Sequence, residues 1–305
     1  MTATANTASS LASRLVNGAL SIKPLANLAK QQARKMMIKR AESIGVPWTQ
    51  KVQALQARDW NVELAHIQKP NFTYPEYYLK SFHAYDSGNL SWEAATEVEV
   101  AAYAVHARVW PDGGAQGDAM LRQSYHDLLK AKIAEEPRDI LDLGCSVGMS
   151  TFALQAVYPQ ARVTGLDLSP YFLAVAHYHS QQRHAPINWV HAAAESTGLP
   201  DASFDLVSLS LMCHELPQPT TLQIFHEAHR LLRPNGHLAI MDMNPKSEVY
   251  TKMPPYILTL FKSTEPYLDD YFAFDIEQAI IDAGFTQPAL SCNSPRHRTL
   301  VAKVR

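Results

Sequence analysis

Asp139-Ile140-Leu141-Asp142-Leu143-Gly144-Cys145-Ser146-Val147-Gly148-Met149-Ser150 opens with a short apolar run that breaks abruptly at glycine. Ile140, Leu141 and Leu143 read as a buried strand feeding a tight turn. Past Gly148, Phe152, Ala153, Ala156 and Val157 recur at helical spacing, so a helix follows the turn. Strand, glycine turn and helix is the arrangement by which α/β folds bring backbone N–H groups and a helix N-terminus to an electron-rich ligand. A carboxylate at the end of a buried strand, as at Asp142, answers to a cation or an N–H group.

Three patterns compete for the turn. The dinucleotide fingerprint G-x-G-x-x-G is not met by Gly144 and Gly148. The nucleophile elbow G-x-S-x-G is met letter for letter by residues 144–148 and makes Ser146 a candidate nucleophile. That elbow follows several strands and an oxyanion-hole loop, whereas the chain before Asp139 is mainly helical and aromatic in pattern. Third, Asp142-Leu143-Gly144-Cys145-Ser146-Val147-Gly148 resembles motif I of class I S-adenosylmethionine (SAM) methyltransferases of type 11, with Ser146 where the middle glycine often stands.

The segments downstream keep the order of that family. Arg162–Asp167 is a strand ending in a carboxylate, and Ser169-Pro170 is a good helix start. Asp167 follows Gly144 at close to the ~20-residue separation at which an acid reaches ribose hydroxyls, both of which one carboxylate can accept. Residues 187–190 are a third strand and Phe204–Ser210 a fourth. Arg233-Pro234-Asn235-Gly236 stops a helix before a fifth strand at 238–242, and strands near 285–290 and 297–304 close the chain. The fold expected is α/β: a seven-stranded, mostly parallel Rossmann-like sheet with helices on both faces, preceded by a helical N-terminal region. By domain, residues 1–41 form a basic segment, 42–134 an aromatic-rich cap, and 135–305 the methyltransferase domain with a lid-like insertion at about 245–274.

The resemblance implies SAM as cofactor and methyl transfer to oxygen or carbon. It places Gly144, Cys145, Ser146 and Gly148 against the methionine and ribose parts, has Asp142 support the motif I loop or the methionine amino group, and sets Asp167 with Leu168 against the ribose. Ala194, Glu195 and Ser210 complete the border. The family often carries Asp-Ala-Glu where this chain has Ala193-Ala194-Glu195, which puts the usual adenine hydrogen bond in question. His214, in the segment after the fourth strand, is the candidate general base, since an imidazole titrates near neutral pH; a purely structural role is the competing reading. A non-catalytic partner subunit of the same fold is the alternative of a different class.

Composition bounds the rest. The chain has 305 residues, 47% of them hydrophobic, and a net charge of −2, so nothing pulls it generally towards nucleic acid. Cys145, Cys213 and Cys292 form no C-x-x-C pair, so neither a disulfide frame nor a metal site is expected. Residues 1–40 contain seven basic residues before the first acid, Glu42. They read as an organellar (plastid) transit peptide, as a basic amphipathic helix on an anionic membrane, or as a solvated helix packed on the domain. In the second reading Leu25, Leu28, Ala29, Gln32, Ala33, Met36 and Met37 form the apolar face, and residues 11–40 touch the membrane of an otherwise cytoplasmic protein. Between Trp60 and Trp110 aromatics are dense, and the wording at 74–90 resembles an uncharacterised cyanobacterial and plastid group. As a cap over the site, Tyr74, Tyr78, Phe82, Tyr85 and Trp92, with Tyr256 and Phe261 of the insertion, would meet substrate; as core, they only fill space. The cap reading favours a small, lipophilic acceptor such as a quinone, isoprenoid or pigment precursor.

Overall fold

The computed structural model describes residues 23–83 and 85–305. The chain enters through α1 (Lys23–Ser43), α2 (Trp48–Gln56) and α3 (Asn61–Ile67), then a 3-10 turn at Glu76–Leu79, α4 (Trp92–His106) and α5 (Gly117–Lys132). The alternating part is β1 (Asp139–Leu143), α6 (Met149–Val157), β2 (Arg162–Asp167), α7 (Pro170–Arg183), β3 (Asn188–His191) and β4 (Phe204–Ser210). A short 3-10 turn, Cys213–Glu215, leads to α8 (Gln218–Leu231) and β5 (Leu232–Met243). The insertion holds α9 (Glu248–Thr251), α10 (Pro255–Lys262) and α11 (Leu268–Ala273), and α12 (Ile276–Asp282), β6 (Ala289–Cys292) and β7 (His297–Lys303) finish the chain.

The sheet order is β3-β2-β1-β4-β5-β7-β6, with β1 to β5 parallel and β7 antiparallel to both neighbours. All five residues of β1 are buried, as a central strand covered on both faces requires. The order reverses between β1 and β4, and it is at such a switch point, outside the carboxyl ends of the strands, that open α/β sheets bind ligands. Two boundaries differ from expectation. β5 starts at Leu232 rather than Leu238, because Phe204 pairs with Leu232 before the register shifts. β6 covers 289–292 rather than 285–290, Phe285 contributing an isolated bridge to Val304.

Within the region expected as the cap, 42–134, Leu121, Tyr125 and Leu129 of α5 pack on Ile140, Leu154, Val163, Leu206 and Met241, so this helix shares its core with the sheet. Ser91 and Ser169 cap α4 and α7 with their hydroxyls, accepting from Ala94 N–H and Phe172 N–H.

Of the apolar face expected on α1, Leu28 and Met36 are 52% and 62% exposed, while Met37 turns with Ile38 and Ala41 to the α2–α4 core. Residues 1–22, including most of the transit-peptide reading, lie outside the described residues. The basic residues partly turn inward. Lys30 pairs with Asp86 at 3.0 Å, and the Arg34 guanidinium grips the fully buried Glu97, whose Oε2 also accepts from Tyr85 OH at 2.9 Å. Arg34→Ala therefore leaves a buried carboxylate with one neutral donor. It is expected to cost about 3 kcal/mol, towards the lower end for a broken buried pair because Arg34 itself is partly wet, and denaturant melts of the two proteins measure the difference.

Among the described residues no helix is long and apolar enough to cross a membrane.

Candidate cofactor and methyl-transfer site

The turn after β1 holds three consecutive features that only this local sequence supports. Gly144 sits at φ +67°, and a Cβ there would lie 2.5 Å from Met212 Sδ; Gly148 sits at φ +87° against Trp189 and Phe152. Between them Ser146 adopts φ +50°, an uncommon value for a side-chain-bearing residue and a mark of a functional turn. Asp142 is buried; its Oδ2 accepts Ser150 Oγ–H at 2.6 Å and Thr151 Oγ1–H at 2.7 Å, which ties the strand end to the first turn of α6. Its Oδ1 and Ser146 Oγ are buried without a hydrogen-bond partner. Two orphaned acceptors in one glycine turn point to a ligand with polar hydrogens. The same observation disposes of Ser146 as a nucleophile, since no base touches its hydroxyl.

Asp167 closes the other side of the turn. Its Oδ2 accepts Ser146 N–H and its Oδ1 accepts Ser169 N–H, both at 2.8 Å, while Tyr78 OH approaches Oδ1 at 3.4 Å. Burial lifts its pKa to about 6 in spite of those N–H groups. Cys145, in contrast, gives its N–H to Leu166 O at 3.1 Å and buries its thiol, whose pKa burial pushes up, so among the cofactor candidates it contributes only chain geometry. Leu168 O accepts His191 Nε2–H at 3.0 Å, and His191 Nδ1 accepts Lys69 N–H at 3.1 Å. One imidazole thus joins the cap to the ends of β2 and β3, a role that sequence reading missed. Ala194 is buried, and the Glu195 carboxylate accepts Tyr77 OH at 2.9 and 3.0 Å. Ser210 ends β4, half-buried.

Across the switch point, the loop after β4 carries His214. Its Nδ1 lies 2.6 Å from Asp242 Oδ1 at the end of β5, and its backbone N–H donates to Asp242 Oδ2 at 3.2 Å. Met243 N–H gives Asp242 a third donor at 2.7 Å. Burial alone would lower the His214 pKa, but the charge and hydrogen bond of Asp242, with Glu215 and Glu265 further off, raise it to about 9. The carboxylate holds the ring by Nδ1 and leaves Nε2 as the group that can exchange a proton.

The aromatic candidates divide. Tyr78 and the unforeseen Tyr77 reach the strand-end acids, Tyr74 comes within 3.5 Å of His191, and Phe82 is buried edge-on to His83. Tyr85 donates its hydroxyl to the buried Glu97, Trp92 stacks on Trp60 and meets Tyr171, and Phe261 stacks on Tyr250, so the contacts of these three run to other partners than Asp167 or Glu195. Tyr256 is 46% exposed on α10. Among the described residues no group of three or more His, Cys, Asp or Glu side chains is placed to hold a metal ion.

A doubly wound sheet with a glycine turn after β1, an acid at the end of β2 and an antiparallel β7 is the fold of class I SAM-dependent methyltransferases. Residues 141–240 match the family model described as a methyltransferase domain, and this part of the chain is such a domain. Malonyl-acyl-carrier protein O-methyltransferase of Hahella chejuensis is 39% identical over 104 residues, 33% of this chain and 35% of that one. An uncharacterized Synechocystis methyltransferase is 28% identical over 166 residues, 54% and 74% of the two chains. Demethylmenaquinone methyltransferase of Thermus thermophilus is 27% identical over 113 residues, 37% and 50%. The matched region thus spans from about a third to about three-quarters of these relatives. A Nostoc punctiforme structure, itself only provisionally assigned as an O-methyltransferase, shares the fold with TM-score 0.55 and 19% identity over 70% of this chain and 59% of that one.

Proposed function

We propose that the protein transfers a methyl group from SAM to a hydroxyl of a small, lipophilic acceptor. The observation that carries the reading is one loop: Met212 lies over Gly144 in the cofactor turn, and His214, two residues on, is held by Asp242. Cofactor turn and proton acceptor are therefore neighbours. Bound SAM supplies an electrophilic sulfonium methyl. The chain's share is to hold donor and acceptor in near-attack geometry, keep water out and take the acceptor's proton on His214 Nε2. Asp142 Oδ1, Ser146 Oγ and Asp167 are the groups that would hold the cofactor, and the unpartnered acceptors fit its amino group and ribose hydroxyls. Ala193 removes one expected adenine partner; the backbone near Ala194 is the substitute.

The lipophilic part rests on aromatic Tyr77, Tyr78, Phe82 and Tyr267 round the site, and on the Thermus relative, named for a quinone. Membrane-surface contact belongs to the same reading. Leu28, Gln32, Lys35, Met36 and Lys39 are exposed on one face of α1, an amphipathic patch suited to an anionic bilayer. Lys35→Glu with Lys39→Glu should weaken sedimentation with anionic liposomes by tenfold or more, each Lys being worth about 1 kcal/mol near such a surface. Deleting the helix would be a poorer test, because it uncovers Glu97. The function itself is tested by incubating the protein with methyl-labelled SAM and a cell extract. Label should enter the organic-solvent phase and fail to do so with His214→Ala; label confined to water-soluble products would overturn the lipophilic assignment.

A further inference from the structure

Next to the His214–Asp242 pair lies a second charged group that the transfer as described does not use. His83, on the turn before α4, is held at both ring nitrogens: Nδ1 is 2.7 Å from Glu265 Oε1 and Nε2 is 2.9 Å from Glu215 Oε1. Its backbone N–H donates to Thr264 O at 3.1 Å, so the cap, the loop after β4 and the insertion meet at this one residue. Desolvation pulls the His83 pKa down, but the charges and hydrogen bonds of Glu265 and Glu215 raise it well above the ordinary imidazole value, on a ring that is still 36% exposed. Two negative charges against one positive leave one in surplus.

Glu265 holds that surplus in an unusual way. Its side chain is only 7% exposed, and Oε2 is buried with no hydrogen-bond partner, although Oε1 is satisfied by His83. A buried carboxylate oxygen without a donor is costly, and native structures keep such a group where a ligand or a function answers it. The surroundings are suited to a flat molecule. Phe82 lies edge-on to His83 with centroids 4.6 Å apart, and Tyr267 donates its hydroxyl to Tyr77 O at 3.2 Å. Glu215, which directly follows His214, and Glu265 share His83 as their partner, so the pair is joined through one imidazole to the loop that carries the proton acceptor, and the charge of Glu265 helps to raise the His214 pKa.

We propose that Glu265 is the specificity-determining residue of the acceptor site: Oε2 takes a hydrogen bond from a donor head group of the acceptor, and the surplus charge turns away anions. This rests on the methyltransferase reading and narrows its substrate class to aromatic or lipophilic molecules bearing an amine or hydroxyl donor and no carboxylate or phosphate at that end. A hydroxyl and an ammonium satisfy the same oxygen, and the latter gains from the charge as well.

The test uses three probes of one shape, benzylamine, benzyl alcohol and benzoate, titrated by ligand-observed NMR into the full-length protein with and without S-adenosylhomocysteine. The expected order is amine, then alcohol, with benzoate at least tenfold weaker than the amine. Glu265→Gln keeps the size, can still accept from His83, and presents an amide donor where Oε2 was. It should bring amine and benzoate within about twofold or reverse them, with S-adenosylhomocysteine affinity unchanged. Benzoate binding as well as benzylamine to the wild-type protein overturns the proposal without recourse to any variant, as does a preference that survives Glu265→Gln. Loss of S-adenosylhomocysteine binding by the wild type would instead strike the methyltransferase reading, while the probe ranking without cofactor still decides the role of Glu265.

Discussion

Asp167→Ala is expected to weaken SAM binding at least tenfold, about 1.4 kcal/mol, while the sheet still folds. The carboxylate does two things that alanine cannot. It would accept ribose hydroxyls with charge-assisted hydrogen bonds, each worth about 1.5–3 kcal/mol before water compensates. It also takes the N–H groups of Ser146 and Ser169, and so fixes both the cofactor turn and the start of α7. Losing those acceptors leaves two N–H groups without partners and loosens a turn already strained at Ser146. Because burial has raised the Asp167 pKa to about 6, the wild-type protein should show its own acid limit. The ionised carboxylate is the better acceptor, so affinity should fall as pH drops through about 6 and rise to a plateau above it. In Asp167→Ala that dependence should weaken but not vanish, because burial also raises Asp142, on the same turn, to about 6. A dissociation constant unchanged by the substitution would mean that β2 does not border the cofactor.

His214→Ala is expected to lower kcat by 10²- to 10⁴-fold, the usual contribution of a positioned proton acceptor. The pH dependence carries more information than the size of the loss. With its pKa raised to about 9, His214 is mostly protonated at neutral pH and becomes a base only as pH rises. Activity should therefore climb between pH 7 and 9. The same shift stabilises the fold fully below about pH 6.5, and this contribution fades as pH rises through about 9. Asp242→Asn removes the charge that raises the imidazole while keeping a side chain of the same shape. The rise in activity should move towards lower pH, with a lower plateau, since the ring loses its orienting partner. A structural histidine would give loss of stability in both variants and no displacement of the profile.

What could be read in advance was local. A glycine turn after an apolar strand, an acid at the next strand end and a Pro-Asn-Gly stop before the fifth strand each lie within a few consecutive residues, so the succession of strands and helices could be read from them, and the family resemblance implied the seven-stranded sheet. The candidate site was legible to the same extent: Asp142, Gly144, Ser146, Gly148, Asp167 and His214 converge on the switch point. What was not legible depends on pairs far apart in the chain. Tyr77 with Glu195, His83 with Glu215 and Glu265, and His191 with Lys69 leave no periodic signal, because each is a polar contact between segments far apart in the chain. Trp92 and Tyr85 look like site residues in a list of aromatics, yet Trp60 and Glu97 take them. In α1 apolar and basic residues are mixed round the helix, so spacing alone could not say that Arg34 faces a buried acid. The expected cap, residues 42–134, takes in helix α5; its Leu121 and Leu129 pack on Ile140 of β1 and Leu206 of β4, contacts between distant segments that spacing does not show.

The central claim is that the turn 144–148 and Asp167 form a working cofactor site on this chain. Calorimetric titration of the full-length protein with SAM, and separately with S-adenosylhomocysteine, tests it most directly. One site per chain with dissociation constants in the micromolar range for both ligands is the predicted result; no detectable binding of either would contradict it.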